Sequence, residues 1–199
     1  TVTVTVLPSA GSFGVSDDFS TDTRSQYTVT NIWTQGGVGS LLYDATGQRL
    51  RVVTGDDVGL AFSRSLPSSP EGIFTMDFLP TGTYPNGGKL RLRLEQDSNN
   101  YYLIYNTSGY GIGTVQKVVG GSVVEEAAFG GEYSQQTNYA IGVTYTPDLL
   151  RVDAFGWIVT LNQTSDPIAV NRFVVELVQQ DAYIDNILFS QNGISIISP

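Results

Sequence analysis

Apolar and polar residues alternate with a period of two through most of the chain. In KLRLRLE (89–95), Leu90, Leu92 and Leu94 fall on one side and Lys89, Arg91, Arg93 and Glu95 on the other, the pattern of a strand with one buried and one wet face. The stretch SLLYDATGQRLRVVTG (40–55) reads as strand, turn over Ala45–Gln48, and strand. Further strands are predicted over 58–66, 72–79, 100–106, 113–119, 123–129, 138–146 and 172–180. LLRVDAFGWIVTLN (149–162) reads as two strands, with Gly156 in or beside the hairpin turn. No segment of ten or more residues keeps helical periodicity free of Gly or β-branched interruption. About twelve strands spaced by turn signals predict an all-β sandwich or barrel. No fixed-period repeat points to a propeller or solenoid.

One segment breaks its own pattern. In DAYIDNILFS (181–190), Tyr183, Ile184, Ile187, Leu188 and Phe189 read as strand, yet Asp185 and Asn186 interrupt it, and both residue types are depleted in strands. Either a bulge carries a hydrogen-bonded Asp, or a cation meets the carboxylate.

The ends stand apart from the body. TVTVTV begins a segment, 1–12, that reads as a strand and linker from a preceding module; 13–192 reads as the folded body and 193–199 as a C-terminal extension. The N-terminus lacks the basic and apolar regions of a signal peptide, so the chain is expected to come from a longer one.

Composition narrows the function classes. Only 15% of the 199 residues are charged, Gly is raised at 22, and Tyr numbers 11, a balance that predicts a secreted or cell-surface module. The net charge is −9, and no basic stripe is visible, so nucleic acid is not an expected partner. Acidic loops suit calcium, a hard cation taking oxygen ligands. Zero Cys and zero His exclude disulfides, thiolate chemistry and His-based triads. No apolar run reaches the roughly 18 residues needed for a membrane-spanning helix, and membrane insertion is not expected.

Taken together, DDFSTDT (17–23), NYAIGVTYTPDLLRVDAFGWIV (138–159) and FVVELVQQDAYIDNILF (173–189) resemble the laminin-G-like, concanavalin A-like jelly-roll domains. Those domains occur as accessory modules of secreted microbial polysaccharide-degrading enzymes and adhesins. TVTVTVLP resembles the last strand of the immunoglobulin-like repeats that precede such modules. The resemblance implies a two-sheet antiparallel β-sandwich. It also implies a structural calcium shared by an N-terminal acidic pair, here Asp17 and Asp18 with Asp22 nearby, and the last strand's Asp185. The hydrogen-bonded bulge remains the alternative for Asp185. The family holds sugar binders, protein binders and a few enzymes, so the fold alone names no activity.

Catalysis is not expected. Glycoside hydrolysis needs two facing carboxyls; the Glu-x-Asp-x-x-Glu strand of jelly-roll glucanases is absent, and Glu125 and Glu126 fall on opposite faces of one strand. Alginate-lyase-like jelly rolls need a His or Tyr with Arg and Gln in recurring motifs, and the absence of His counts against them. Aromatic rings that stack on sugars are the remaining functional currency, with polar side chains bonding the hydroxyls. Tyr84 in GTYPNGG and Tyr110 in SGYGIG lead because they sit among Gly, Pro and Asn; Trp33 in NIWTQGG and Trp157 beside Gly156 follow. Tyr101, Tyr105, Tyr139 and Tyr145 alternate like core or cross-strand pairs. Asp56 and Asp57 lie in a Gly-flanked turn, where Asp either bonds its own backbone or meets a metal or sugar hydroxyl at a loop rim. The expected function is a non-catalytic carbohydrate-binding module with a structural calcium, contacting a polysaccharide and neighbouring domains. The alternative is a structural or adhesive spacer.

Overall fold

The computed structural model describes residues 14–83, 87–109 and 111–191. Segments 1–12 and 193–199, Tyr84 and Tyr110 therefore lie outside the described residues. The first strands are β1 (Gly14–Asp17), β2 (Thr28–Thr34), β3 (Ser40–Asp44), β4 (Arg49–Val53), β5 (Val58–Ser69), β6 (Gly72–Thr83), β7 (Gly88–Asp97) and β8 (Asn100–Ser108). They continue with β9 (Gly113–Val119), β10 (Ser122–Phe129), β11 (Tyr139–Tyr145), β12 (Leu149–Ala154), β13 (Trp157–Asn162), β14 (Val170–Val178) and β15 (Gln180–Ser190). One 3-10 turn, Arg24–Gln26, precedes β2.

Two antiparallel sheets form a sandwich. The eight-stranded sheet runs β13-β12-β11-β6-β15-β4-β3, with β1 also paired to β15, and the seven-stranded sheet runs β10-β9-β8-β7-β14-β5-β2. Strand alternation supplies the core directly. Leu90, Leu92 and Leu94 of β7 and Phe173, Val175 and Leu177 of β14 are fully buried; each such side chain contributes about 1.5–3 kcal/mol relative to leaving it in water. Aromatic rings fill both halves of the core. Tyr27 meets Phe62 edge-on at 5.8 Å, and Phe155 stacks on Tyr133 at 5.6 Å, offset and tilted arrangements that rings prefer.

The interruption at Asp185 is a bulge. Pairing of β15 with β6 shifts register between Asp185 and Leu188, and Asn186 takes φ 49°, a left-handed conformation that Asn tolerates better than most residues. The Asn186 N–H donates to Asp185 Oδ1 at 2.8 Å, and its side-chain amide donates to Asp77 Oδ2 at 2.8 Å. The two polar residues thus satisfy the bulge locally.

The hairpin around Gly156 forms as expected. Phe155 and Gly156 have φ of 56° and 80° and join Ala154 to its partner Trp157, a two-residue turn whose twist matches the strands. By contrast β2 was not announced by alternation. It is an edge strand exposed along almost its whole length, so neither face carries an apolar signature, and Trp33 belongs to this strand rather than to a loop.

Candidate functional site

The outward face of the seven-stranded sheet gathers polar and aromatic side chains. Because Leu90, Leu92 and Leu94 point inward, Lys89, Arg91, Arg93 and Glu95 point outward. Register then decides their neighbours. Arg91 lies between Tyr105 of β8 and Glu176 of β14, Arg93 between Leu103 and Val174, and Glu95 between Tyr101 and Arg172. Such directly opposed side chains are close enough to interact.

The charges alternate into a ladder. Arg93 pairs with Glu95 at 2.8 Å and with Glu176 across the strand gap. Arg172 pairs with the other oxygen of Glu95, and Arg91 stands 3.5 Å from Glu176. The Glu95 side chain is fully covered and Glu176 is 9% exposed, whereas Arg91 and Arg172 remain 48% and 45% exposed. Two guanidiniums per carboxylate offset the cost of burying the anions. Arg91 lies 5.6 Å from the Tyr105 ring centre and Arg93 5.6 Å from that of Tyr101, within the range of cation–π attraction. The ladder therefore holds two tyrosine rings and three guanidiniums in fixed relation.

Three shallow depressions mark this face. One of about 310 Å³ is lined by Arg91, Arg93, Tyr101, Leu103, Tyr105 and Gln116 among others. A second, about 360 Å³, shares Arg91 and Glu176 with it and brings in Trp33, Ile32 and Lys89. A third, about 420 Å³, lies at the Arg172 end with Arg64, Thr28, Ser63 and Ser65. Trp33 reaches the face because its strand partner is Gly59: a Cβ there would stand 2.9 Å from Ile32 Cγ1 and 3.3 Å from Trp33 Cβ. Rings, guanidiniums, hydroxyls and a carboxamide are thus presented together. No free carboxyl pair accompanies them, since Glu95 and Glu176 are each held by two arginines.

Of the residues singled out from sequence, Trp33 joins this face. Trp157 lies elsewhere, on the β13 edge of the other sheet, 49% exposed, with its ring against the backbone of Gly130 and Gly131. Asp56 accepts a hydrogen bond from Gln179 Nε2 at 2.8 Å, and the Asp57 carbonyl accepts the Gly36 N–H at 3.1 Å, so this turn ties two loops together. Tyr101 and Tyr105, expected as core or cross-strand pairs, are cross-strand pairs on this face, opposite Glu95 and Arg91. Tyr102 is the β8 tyrosine that points inward.

Asp17, expected as a calcium ligand, is engaged by its own neighbours. It is 5% exposed and accepts from Phe19 N–H, Thr23 Oγ1 and Tyr27 Oη, at 3.1, 2.6 and 2.8 Å, with Arg64 at 3.5 Å. Burial, reinforced by Asp17, pushes the Tyr27 hydroxyl well up, keeping it a donor. Asp18 is exposed, and the Ser20 N–H holds its carboxyl below the usual range. Burial pushes Asp185 up, and the Asp77 and Asp18 charges push it further against the Asn186 hydrogen bond. Among the described residues no three His, Cys, Asp or Glu side chains are grouped to hold a metal ion.

No family model and no curated protein sequence matches the chain. Solved structures do match in fold. The CBM2 module of the evolved Dit protein of Lactobacillus casei BL23 phage J-1 superimposes with a TM-score of 0.65 at 12% identity, covering 90% of this chain and 95% of that one. The Bacillus licheniformis β-glucanase gives 0.63 at 10% identity, with 91% and 98% covered. Carbohydrate-binding module CBM66 from Bacillus subtilis gives 0.54 at 13% identity, with 83% and 96% covered. The sandwich is accordingly a concanavalin A-like jelly roll.

Proposed function

We propose that the outward face of the seven-stranded sheet binds a carbohydrate chain, which makes this domain a non-catalytic carbohydrate-binding module of a secreted or surface multidomain protein. The observation that carries the reading is the row of Tyr101 and Tyr105 with Arg91 and Arg93 on one face, set by β7–β8 register and braced by buried Glu95 and Glu176. Sugar rings present apolar C–H faces and polar edges. Half-buried tyrosines can stack on the former with little entropy lost, and guanidinium and carboxamide groups bond the latter. Modules described as carbohydrate-binding among the similar folds support the same reading.

Hydrolysis fits the face poorly. A glycosidase needs one carboxyl free to donate a proton, and here both buried carboxylates are engaged by arginines. Calcium belongs to the same proposal on a narrower footing. With Asp17 engaged by its own neighbours, Asp18 and Asp185 remain of the expected set, to be completed by main-chain or water oxygens, and a cation would relieve the repulsion between them.

A glycan array followed by affinity electrophoresis tests the carbohydrate reading. Tyr101→Ala and Tyr105→Ala should each weaken the binding found by tenfold or more, about 1.4 kcal/mol, while the unfolding transition stays cooperative. A domain that retains no glycan, or binds one undiminished in both variants, would overturn the reading and leave the spacer or adhesive role.

A further inference from the structure

This acidic chain gathers positive charge on one face. It carries 10 Lys and Arg against 19 Asp and Glu. Yet Lys89, Arg91 and Arg93 of β7 and Arg172 of β14 all stand on the outward side of adjacent strands, with Glu95 and Glu176 among them. The two signs differ in depth. Glu95 is fully covered and Glu176 nearly so, while close to half of each Arg91 and Arg172 side chain meets solvent. A ligand approaching over β7 and β14 meets guanidiniums first and finds Glu95 and Glu176 beneath them; the exposed carboxylate on this face, Glu126, stands off on β10, where it accepts from Gln116.

The exposed arginines also have donors to spare. A guanidinium has five N–H groups in a planar fork suited to carboxylate and sulfate oxygens. Among the described residues Arg91 meets only the Glu176 carboxylate, at 3.5 Å, and the Tyr105 ring. Arg172 directs its hydrogen bonds to one oxygen of Glu95 and borders the depression that also holds Arg64 and the hydroxyls of Thr28, Ser63 and Ser65. Acidic groups elsewhere on the molecule are screened beyond about 8 Å at physiological salt, so the local field over this face is what a bound chain feels.

We infer that the carbohydrate this face recognises is anionic, its carboxylate or sulfate groups paired by Arg91 and Arg172 while its sugar rings lie on Tyr101 and Tyr105. The inference rests on the carbohydrate reading and narrows it to a substrate class. Repeated acidic groups along a sugar chain would meet the ladder at one end and the Arg172 depression at the other.

Affinity electrophoresis with four polymers tests it: polygalacturonate, the same polymer fully methyl-esterified, chondroitin sulfate and neutral galactan. Binding to at least one acidic polymer should be tenfold or more tighter than to the ester and the galactan. The preference between polygalacturonate and chondroitin sulfate identifies the anion. That binding should weaken about tenfold between 50 and 500 mM NaCl, as screening shortens. The double variant Lys89→Gln, Arg91→Gln should lose it by tenfold or more. It leaves Glu95 with both of its arginines and Glu176 with Arg93, and its melting curve verifies the fold. Neutral or esterified polymer bound as tightly as the acidic ones, or binding indifferent to salt, would overturn the charge inference and leave the carbohydrate reading standing. Retention by none of the four, together with an empty glycan array, would overturn both.

Discussion

Arg93 is the member of the ladder whose loss should be felt most, because it pairs with both Glu95 and Glu176. In Arg93→Met the aliphatic stem is kept and the charge removed. Deleting one partner of a buried ion pair costs about 3–5 kcal/mol when the stranded charge has no other partner. Here Glu95 retains Arg172 and Glu176 retains Arg91, and Arg93 is itself 25% exposed, so the expected loss falls to about 2 kcal/mol. For a chain of this size each kcal/mol moves the melting temperature by about 2–4 °C, giving a drop of about 4–8 °C. Urea unfolding should show a lower midpoint with an unchanged slope. Adding Glu176→Gln should cost less in the Arg93→Met background than alone, with a coupling of about 1 kcal/mol or more. A variant within about 0.5 kcal/mol of the parent, the usual range for an ordinary surface position, or strictly additive effects, would show that the ladder is a solvated decoration and does not brace the face.

Asp185 supplies a pH signature. Its folded carboxyl is pushed up by burial and by Asp77 and Asp18, so the folded state holds a proton that the unfolded chain has released. Its contribution to stability is therefore lost as pH rises from the ordinary Asp range through the raised value, and Asp185→Asn should flatten that part of the melting-temperature profile, just above the ordinary Asp range. In the same measurement at neutral pH, calcium should raise the parent's melting temperature and chelator reverse it; indifference to both removes calcium from the account. Gly59→Ala places a Cβ 2.9 Å from Ile32 Cγ1 and 3.1 Å from Val178 Cγ2. It should cost about 1–3 kcal/mol and shift Trp33 fluorescence, whereas unchanged stability and emission would show that β2 yields freely.

The two-residue alternation of β7, β11 and β12 and the turn at Phe155–Gly156 could be read from the chain because period and turn chemistry are local properties. So could the all-β class. What alternation leaves open is phase when both neighbours are aromatic. In NYYLIYN, Tyr101 and Tyr102 are equally apolar, and the core claims Tyr102 because it packs against Tyr145, at 5.6 Å, from the opposite sheet. That choice sends Tyr101 and Tyr105 to the face where a ligand can meet them. An edge strand such as β2 carries little pattern at all, since both of its faces are wet, and Trp33 acquires its place from Gly59, 26 positions along the chain. Glu95 sits on the polar side of its strand, as its spacing predicts, yet it is fully covered because Arg93 and Arg172 close over it. In the sequence Asp17 and Asp18 form one acidic pair, but the fold buries the first among Thr23, Tyr27 and Arg64 and leaves the second in water. Period and turn type are written in neighbouring residues; which side chain is buried, and against what charge, depends on partners brought together from distant strands.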